Sequence, residues 1–362
     1  MKLLIITQKV DINDDNLGFF HRWLEKLASR VEKLYVICLA EGEHHLPRNT
    51  TVYSLGKERG YSKISQLFRL QKFLFKNLPE TDGVFVHMCP IYAVASWPLV
   101  KIFKKRMILW FLHRNVNWKL KLAEKCVDRI LTASEESCRL KNRKKIEVVG
   151  HGIDIDFFKP LPGAKYQISD NFRIISVSRI SPIKNLPTLI KTVSILVNKK
   201  NIKDIEIKII GTPLGKDEEE YKKELKEDVD KLYKLTPTGE KPPGRINFLG
   251  GKPHRKMAEI YQQNDLLINL SPTGGMDKVV LEAMACAIPV LVSNRTFKED
   301  FGNYADALIF QERDPQDLAQ KILDLRNADI VAIGDYLRKQ VVRRHNLDNL
   351  IVKIIAEFHV SR

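Results

Sequence analysis

The sequence has no CxxC pair. Its five cysteines, Cys38, Cys89, Cys126, Cys138 and Cys286, are scattered and odd in number, which argues against a zinc cluster or a disulfide framework and for reduced core thiols. Long apolar runs are also missing. The stretch 107–112 is far shorter than the roughly 20 residues that cross a bilayer. Only residues 3–6 separate Lys2 from the first polar positions, too few for the apolar region of a signal peptide, so a cytoplasmic location is expected. No internal repeat stands out either.

Positive charge is present in excess, +16 over 362 residues. Residues 1–160 hold 28 Lys plus Arg against 17 Asp plus Glu, so most of the surplus lies in the first part of the chain. Such a surplus attracts phosphorylated ligands, nucleic acid or anionic membrane. Nucleic acid is not the expected partner. No recognition motif appears, and Phe68, Phe73 and Phe75 fall in a helix-like apolar pattern instead of an exposed stacking platform.

A chain of this length suits two domains. Apolar strand-like runs alternate with amphipathic helical stretches throughout, the rhythm of parallel sheets with helical crossovers. Strands are expected at 2–7, 34–39, 52–55, 83–87, 107–113, 130–133 and 147–149, and in a second series at 173–178, 205–210, 246–249, 266–269 and 290–293. Between the series, 159–171 (KPLPGAKYQISDN) reads as a linker and hinge. The expected fold is α/β, with two Rossmann-like doubly wound parallel-sheet domains facing across a cleft, at 1–158 and 172–344. A last helix near 345–362 is expected to pack back on the first domain. The charged run at 216–235 reads as a solvated surface helix.

Two segments carry chemistry. In IISVSRISPIKNLPTLI, Arg179 and Lys184 follow a strand and precede a helix. Ligands of open α/β sheets bind beyond the carboxyl ends of strands, and two cations there suit a diphosphate. A pair of ordinary surface charges fits the same spacing. The second segment, SPTGGMDKVVLEAMACAIPVLV at 271–292, reads as strand exit, Gly-rich loop and helix. Backbone N–H groups of Gly274, Gly275 and Met276 can point at an anion above the helix that begins near Lys278. Glu282, one turn inside among apolar residues, needs hydrogen-bond donors, which ribose hydroxyls can supply.

These segments, with HGIDIDFFKP at 151–160 and RINFLGGKPHRKMAEIYQQNDLLINLSP at 245–272, resemble family 4 of the retaining glycosyltransferases, which have the GT-B fold. The resemblance covers the second half and is looser in the first, where it rests on the opening strand, Asn16-Leu17-Gly18 and His113. It implies that Arg179 and Lys184 balance the donor diphosphate, that Glu282 binds the ribose, that Gly18 lets backbone approach the phosphates, and that His113 contacts the sugar near its reacting carbon. A structural histidine is the other reading of His113. Many family members carry a second glutamate where this chain has Gly274, so sugar recognition must differ, through Asp277 or through backbone N–H groups.

The resemblance further implies transfer with retention from a UDP- or GDP-linked sugar to a glycan, lipid-linked or small-molecule acceptor, with no protein nucleophile. No cofactor and no metal are expected, because the cationic pair serves the leaving diphosphate and the triplet Asp154-Ile155-Asp156 lies in the junction segment. A GT-B-like epimerase or hydrolase, and a donor-binding protein without catalysis, remain open alternatives. The basic amphipathic stretches 57–76 and 97–106 suit an anionic membrane surface, and equally core-facing helices with a solvated basic face.

Overall fold

The computed structural model describes residues 1–14, 16–161, 171–234 and 245–359. Most of the linker expected at 159–171 lies outside them. The chain divides into two compact units, one of Met1–Asp154, Pro253–Arg255 and Arg344–Arg362, the other of Ile155–Lys252 and Lys256–Arg343.

The first unit is built on seven strands: β1 (Lys2–Val10), β2 (Lys33–Glu41), β3 (Thr50–Ser54), β4 (Gly83–His87), β5 (Arg106–Trp110), β6 (Arg129–Thr132) and β7 (Ile146–Val148). They pair in the order β3-β2-β1-β4-β5-β6-β7, all parallel. Strand side chains alternate between faces, so the run Leu3-Leu4-Ile5-Ile6 serves two cores at once. Leu3 and Ile5 join the core under α1 (Phe19–Ala28) and the last helix, Leu347–His359. Leu4 and Ile6 join the core under α2 (Lys63–Asn77), α3 (Pro90–Ile102) and α4 (Trp118–Cys126).

The second unit holds β8 (Phe172–Val177), β9 (Ile205–Ile210), β10 (Arg245–Phe248), β11 (Leu266–Asn269) and β12 (Val290–Val292). Their order is β10-β9-β8-β11-β12, again parallel. The helices that matter for the site are α5 (Leu186–Ser194), α6 (Lys216–Lys234), α7 (Met257–Gln262) and α8 (Lys278–Ala285). Among the described residues no helix is long and apolar enough to cross a membrane.

Three expectations need correction. Strand β5 stops at Trp110 and not at His113, because its partner β6 pairs only with Ile108–Trp110. His113 therefore lies in an exposed loop, where its Nδ1 accepts the Asn115 N–H at 3.1 Å. Helix α6 is not solvated all round: Leu225 and Val229 are buried along one face. Finally, Phe68 and Phe75 are exposed, unlike Leu70 and Leu74 of the same helix.

Candidate functional site

In the second sheet the chain runs from β8 outward through β9 to β10, then returns to the other side of β8 for β11 and β12. The order reverses between β8 and β11, and the loops leaving these neighbouring strands diverge there. A crevice at such a point is where open α/β sheets bind ligands. The β8 loop carries Arg179 and Lys184, and the β11 loop carries residues 270–277.

Lys184 ends a short 3-10 turn, Pro182–Lys184. Its Nζ donates to the Asp277 carboxylate at 2.7 Å and to Ser271 Oγ at 2.9 Å. The same Asp277 oxygen accepts from Ser271 Oγ at 2.5 Å and from Asn269 Nδ2 at 3.0 Å. Burial alone would raise the Asp277 pKa, but the Lys184 charge and the donors from Lys184, Ser271 and Asn269 outweigh it and hold it below the usual carboxylate range. Asp277 thus has the oxygen that faces Lys184 taken up by three protein donors. Lys184 keeps one ammonium proton for a ligand, since two of three are used.

The Gly-rich loop is braced from β12's exit. Asn294 Nδ2 donates to the Gly275 carbonyl at 2.9 Å, and Thr296 Oγ1 to the Gly274 carbonyl at 2.8 Å. Gly274 N–H leans on Asn294 Oδ1 at 3.4 Å, so it is less available to an anion than expected. The N–H groups of Gly275 and Met276 have no partner among the described residues. They lie just before α8, whose N-terminus favours negative charge.

Glu282 is buried and accepts from Tyr261 Oη of α7 at 3.0 Å. Burial and the neighbouring carboxylate push the Tyr261 hydroxyl well above its ordinary pKa, so it stays a donor. One donor that ribose was expected to supply is thus a protein group. Burial also lowers the Lys278 ammonium to about 7, with Glu282 pulling the other way.

Arg179 is exposed, and its Nε lies 3.4 Å from Glu218 in the first turn of α6. Glu218 also accepts the Leu214 N–H at 2.6 Å, which fixes the carboxylate beside Arg179. Behind them, Gly211 has φ +150°, and a Cβ there would sit 1.8 Å from the Ser178 carbonyl oxygen. Only glycine lets the ends of β8 and β9 approach so closely.

In the first unit the order reverses between β1 and β4. There Thr7 Oγ1 and His87 Nδ1 lie 3.1 Å apart, and the His87 ring stacks on Phe20 at 3.8 Å. Gly18 caps α1 with helical dihedrals, and its N–H is bonded to the Asp14 carbonyl at 3.0 Å. A Cβ at Gly18 would lie 2.4 Å from that carbonyl oxygen, so close backbone packing already accounts for the glycine.

Sequence reasoning missed Asn269, Ser271, Tyr261, Glu218 and Gly211. Asn269 and Ser271 did carry a signal, as polar residues closing an apolar strand.

The family model described as glycosyl transferases group 1 matches residues 163–333, nearly all of the second unit. That unit is a group 1 glycosyltransferase domain. Solved structures extend the likeness of this glycosyltransferase to the whole chain at the level of fold. HepE from Anabaena, solved in complex with UDP-glucose, is 18% identical with a TM-score of 0.76, over 99% of each chain. Sucrose-phosphate synthase from Thermosynechococcus elongatus is 14% identical with a TM-score of 0.75, over 99% of this chain and 98% of its own. A glycosyltransferase from Rickettsia africae is 16% identical with a TM-score of 0.72, over 99% and 97%. The fold of the glycosyltransferase is accordingly GT-B. No curated protein matches its sequence.

Proposed function

We propose that this glycosyltransferase moves a sugar, with retention and without a metal, from a UDP- or GDP-linked donor to a glycan, lipid-linked or small-molecule acceptor. The reading places it in the cytoplasm, at the inner face of a membrane. The observation that carries it is Lys184, held by Asp277 and Ser271 at the β8/β11 switch point with a proton to spare. HepE's complex with UDP-glucose lends support to a nucleotide-sugar donor.

The donor diphosphate would lie between Lys184, Arg179 and the N–H groups of Gly275 and Met276. These groups stabilise the charge that grows on the leaving phosphate, which a divalent ion otherwise serves. Arg179 would exchange Glu218 for phosphate, gaining a bidentate partner. Glu282, oriented by Tyr261, would accept a ribose hydroxyl. The acceptor hydroxyl would attack from the face that the nucleotide leaves, and a donor phosphate oxygen would take its proton. By the family resemblance, His113 would contact the transferred sugar near its reacting carbon.

The test is turnover of a nucleotide-sugar panel with a mixed acceptor pool, in the presence and absence of EDTA, with the product anomer read by NMR. Retained configuration and equal rates with EDTA are expected. An inverted product, or a rate abolished by EDTA, would overturn the mechanism. Epimerised donor without glycosylated product would overturn the transfer itself.

A further inference from the structure

Helices α2, α3 and α4 form one layer. Their inner residues, among them Leu70, Val100 and Leu120, pack with Leu4 and Ile6 on the same face of the first sheet. Their outer faces therefore share one surface of the first unit. Gln71 Nε2 of α2 donates to the Ala95 carbonyl of α3 at 2.9 Å, and Phe75 meets Phe103 edge-on at 5.9 Å, so α2 and α3 are in direct contact.

That outer surface is apolar where a solvated layer would be polar. Ile64 is 70% exposed, Phe68 72%, Phe75 65%, Ile102 70% and Trp118 64%. On α2 the residues Ile64, Phe68 and Phe75 fall within about 40° of one another around the helix and roughly 120° from the buried Leu70 and Leu74, with Leu67 on the flank between, so the helix has a second, largely exposed apolar stripe. Cations surround it. Helix α2 carries Lys63, Arg69, Lys72 and Lys76 and no acidic residue, and α4 carries Lys119, Lys121 and Lys125 against Glu124 alone. Lys101 lies over the Trp97 ring at 4.8 Å and Lys119 over Trp118 at 5.8 Å, with the aromatic body and the ammonium on the same side of the protein.

We propose that the α2–α3–α4 face docks on a bilayer carrying anionic headgroups, with Ile64, Phe68, Phe75 and Ile102 entering the headgroup region and the lysines meeting lipid phosphates. This deepens the peripheral placement in the reading above by naming the face and the lipid chemistry. The charge decides for lipid over an apolar protein partner, because a ring of lysines gains nothing from an apolar groove. The aliphatic Ile64, Leu67 and Ile102 decide against nucleic acid, since they offer no ring on which a base can stack.

Flotation of the full chain with vesicles tests this, with no nucleotide sugar or acceptor present, so the outcome is independent of transfer. Phosphatidylcholine vesicles should float little protein, and phosphatidylcholine mixed with phosphatidylglycerol should float most of it at low salt. Phe68→Ser with Phe75→Ser, and separately Lys72→Glu with Lys76→Glu, should each lower binding about tenfold or more. Val331→Ser, an exposed apolar change in the second unit, should leave it unchanged. Circular dichroism confirms that each variant is folded. The proposal is overturned if wild type floats with neither vesicle, or if the double variants float as wild type does. It is equally overturned if these variants lose binding to single-stranded DNA or polyglutamate while wild type ignores anionic vesicles. Flotation together with no turnover in the separate nucleotide-sugar panel assay would overturn the enzyme reading alone.

Discussion

Lys184 and Asp277 are 93 positions apart in sequence, yet their charged atoms lie 2.7 Å apart, joining the loops of two neighbouring strands. The pair pre-places an ammonium where a diphosphate would arrive. Lys184→Ala should lower kcat/KM about 10²–10³-fold, the range for losing one group that stabilises transition-state charge. Asp277→Asn keeps the ammonium but loosens it, and should cost about tenfold in kcat/KM together with a lower Tm. Steady-state kinetics decide, and equal losses for the two variants would mean that Asp277 does more than position Lys184.

Tyr261 and Glu282 form a buried pair, 3.0 Å between oxygens. Tyr261→Phe removes the donor and leaves the carboxylate short of one partner, a loss of about 1–3 kcal/mol of stability. Urea unfolding measures it. An unchanged midpoint and slope would show that Glu282 is satisfied without Tyr261.

In the proposed donor complex Glu218 would compete with phosphate for Arg179. Replacing it with Gln keeps an oxygen for the Leu214 N–H but removes the negative charge. Glu218→Gln is expected to tighten binding of UDP or GDP several-fold in titration calorimetry, and weaker binding would show that Glu218 organises the site instead of blocking it.

At Gly211 both the backbone and the space forbid a side chain. Gly211→Ala should destabilise by about 3 kcal/mol or more through the clash with Ser178 and the strained φ. A melting curve within a degree of wild type would refute it.

Lys278 gives a pH signature. Its ammonium titrates near 7 in the folded chain against an ordinary 10.5, so between these values the unfolded chain holds the extra proton. Stability then rises with pH across that window, and below it the folded chain bears the cost of a buried charge. The Tm of Lys278→Met minus that of wild type should therefore be more favourable at pH 6 than at pH 10. A difference that is flat with pH would contradict the burial of this charge.

Much of this architecture is legible from residues alone. The twelve strands among the described residues fall where apolar runs meet turn residues, and the cationic loop and the Gly-rich loop fall at strand exits. Strand ends are less legible: the apolar run at 107–112 continues past the point where β6 stops pairing with β5. Long-range partnerships are not legible at all. Asp277 looks free in the sequence, and only the adjacency of β8 and β11 reveals that Lys184 holds it. Glu218 looks like one acid among many in a charged helix, and only the fold brings it to Arg179. The outward Phe68 and Phe75 follow the same helical period as core residues, so pattern alone does not say which apolar stripe is covered.

The last helix contributes Leu347, Leu350, Ile351 and Ile354 to the same core as Leu3, Ile5 and Trp23. During synthesis those early residues leave the ribosome more than three hundred positions before their partners. The second unit, apart from three residues, draws on a single continuous stretch and can close first. The first unit is thus the first made and the last finished, and until residue 354 emerges its apolar seat beside α1 stands open to chaperones and to neighbouring chains.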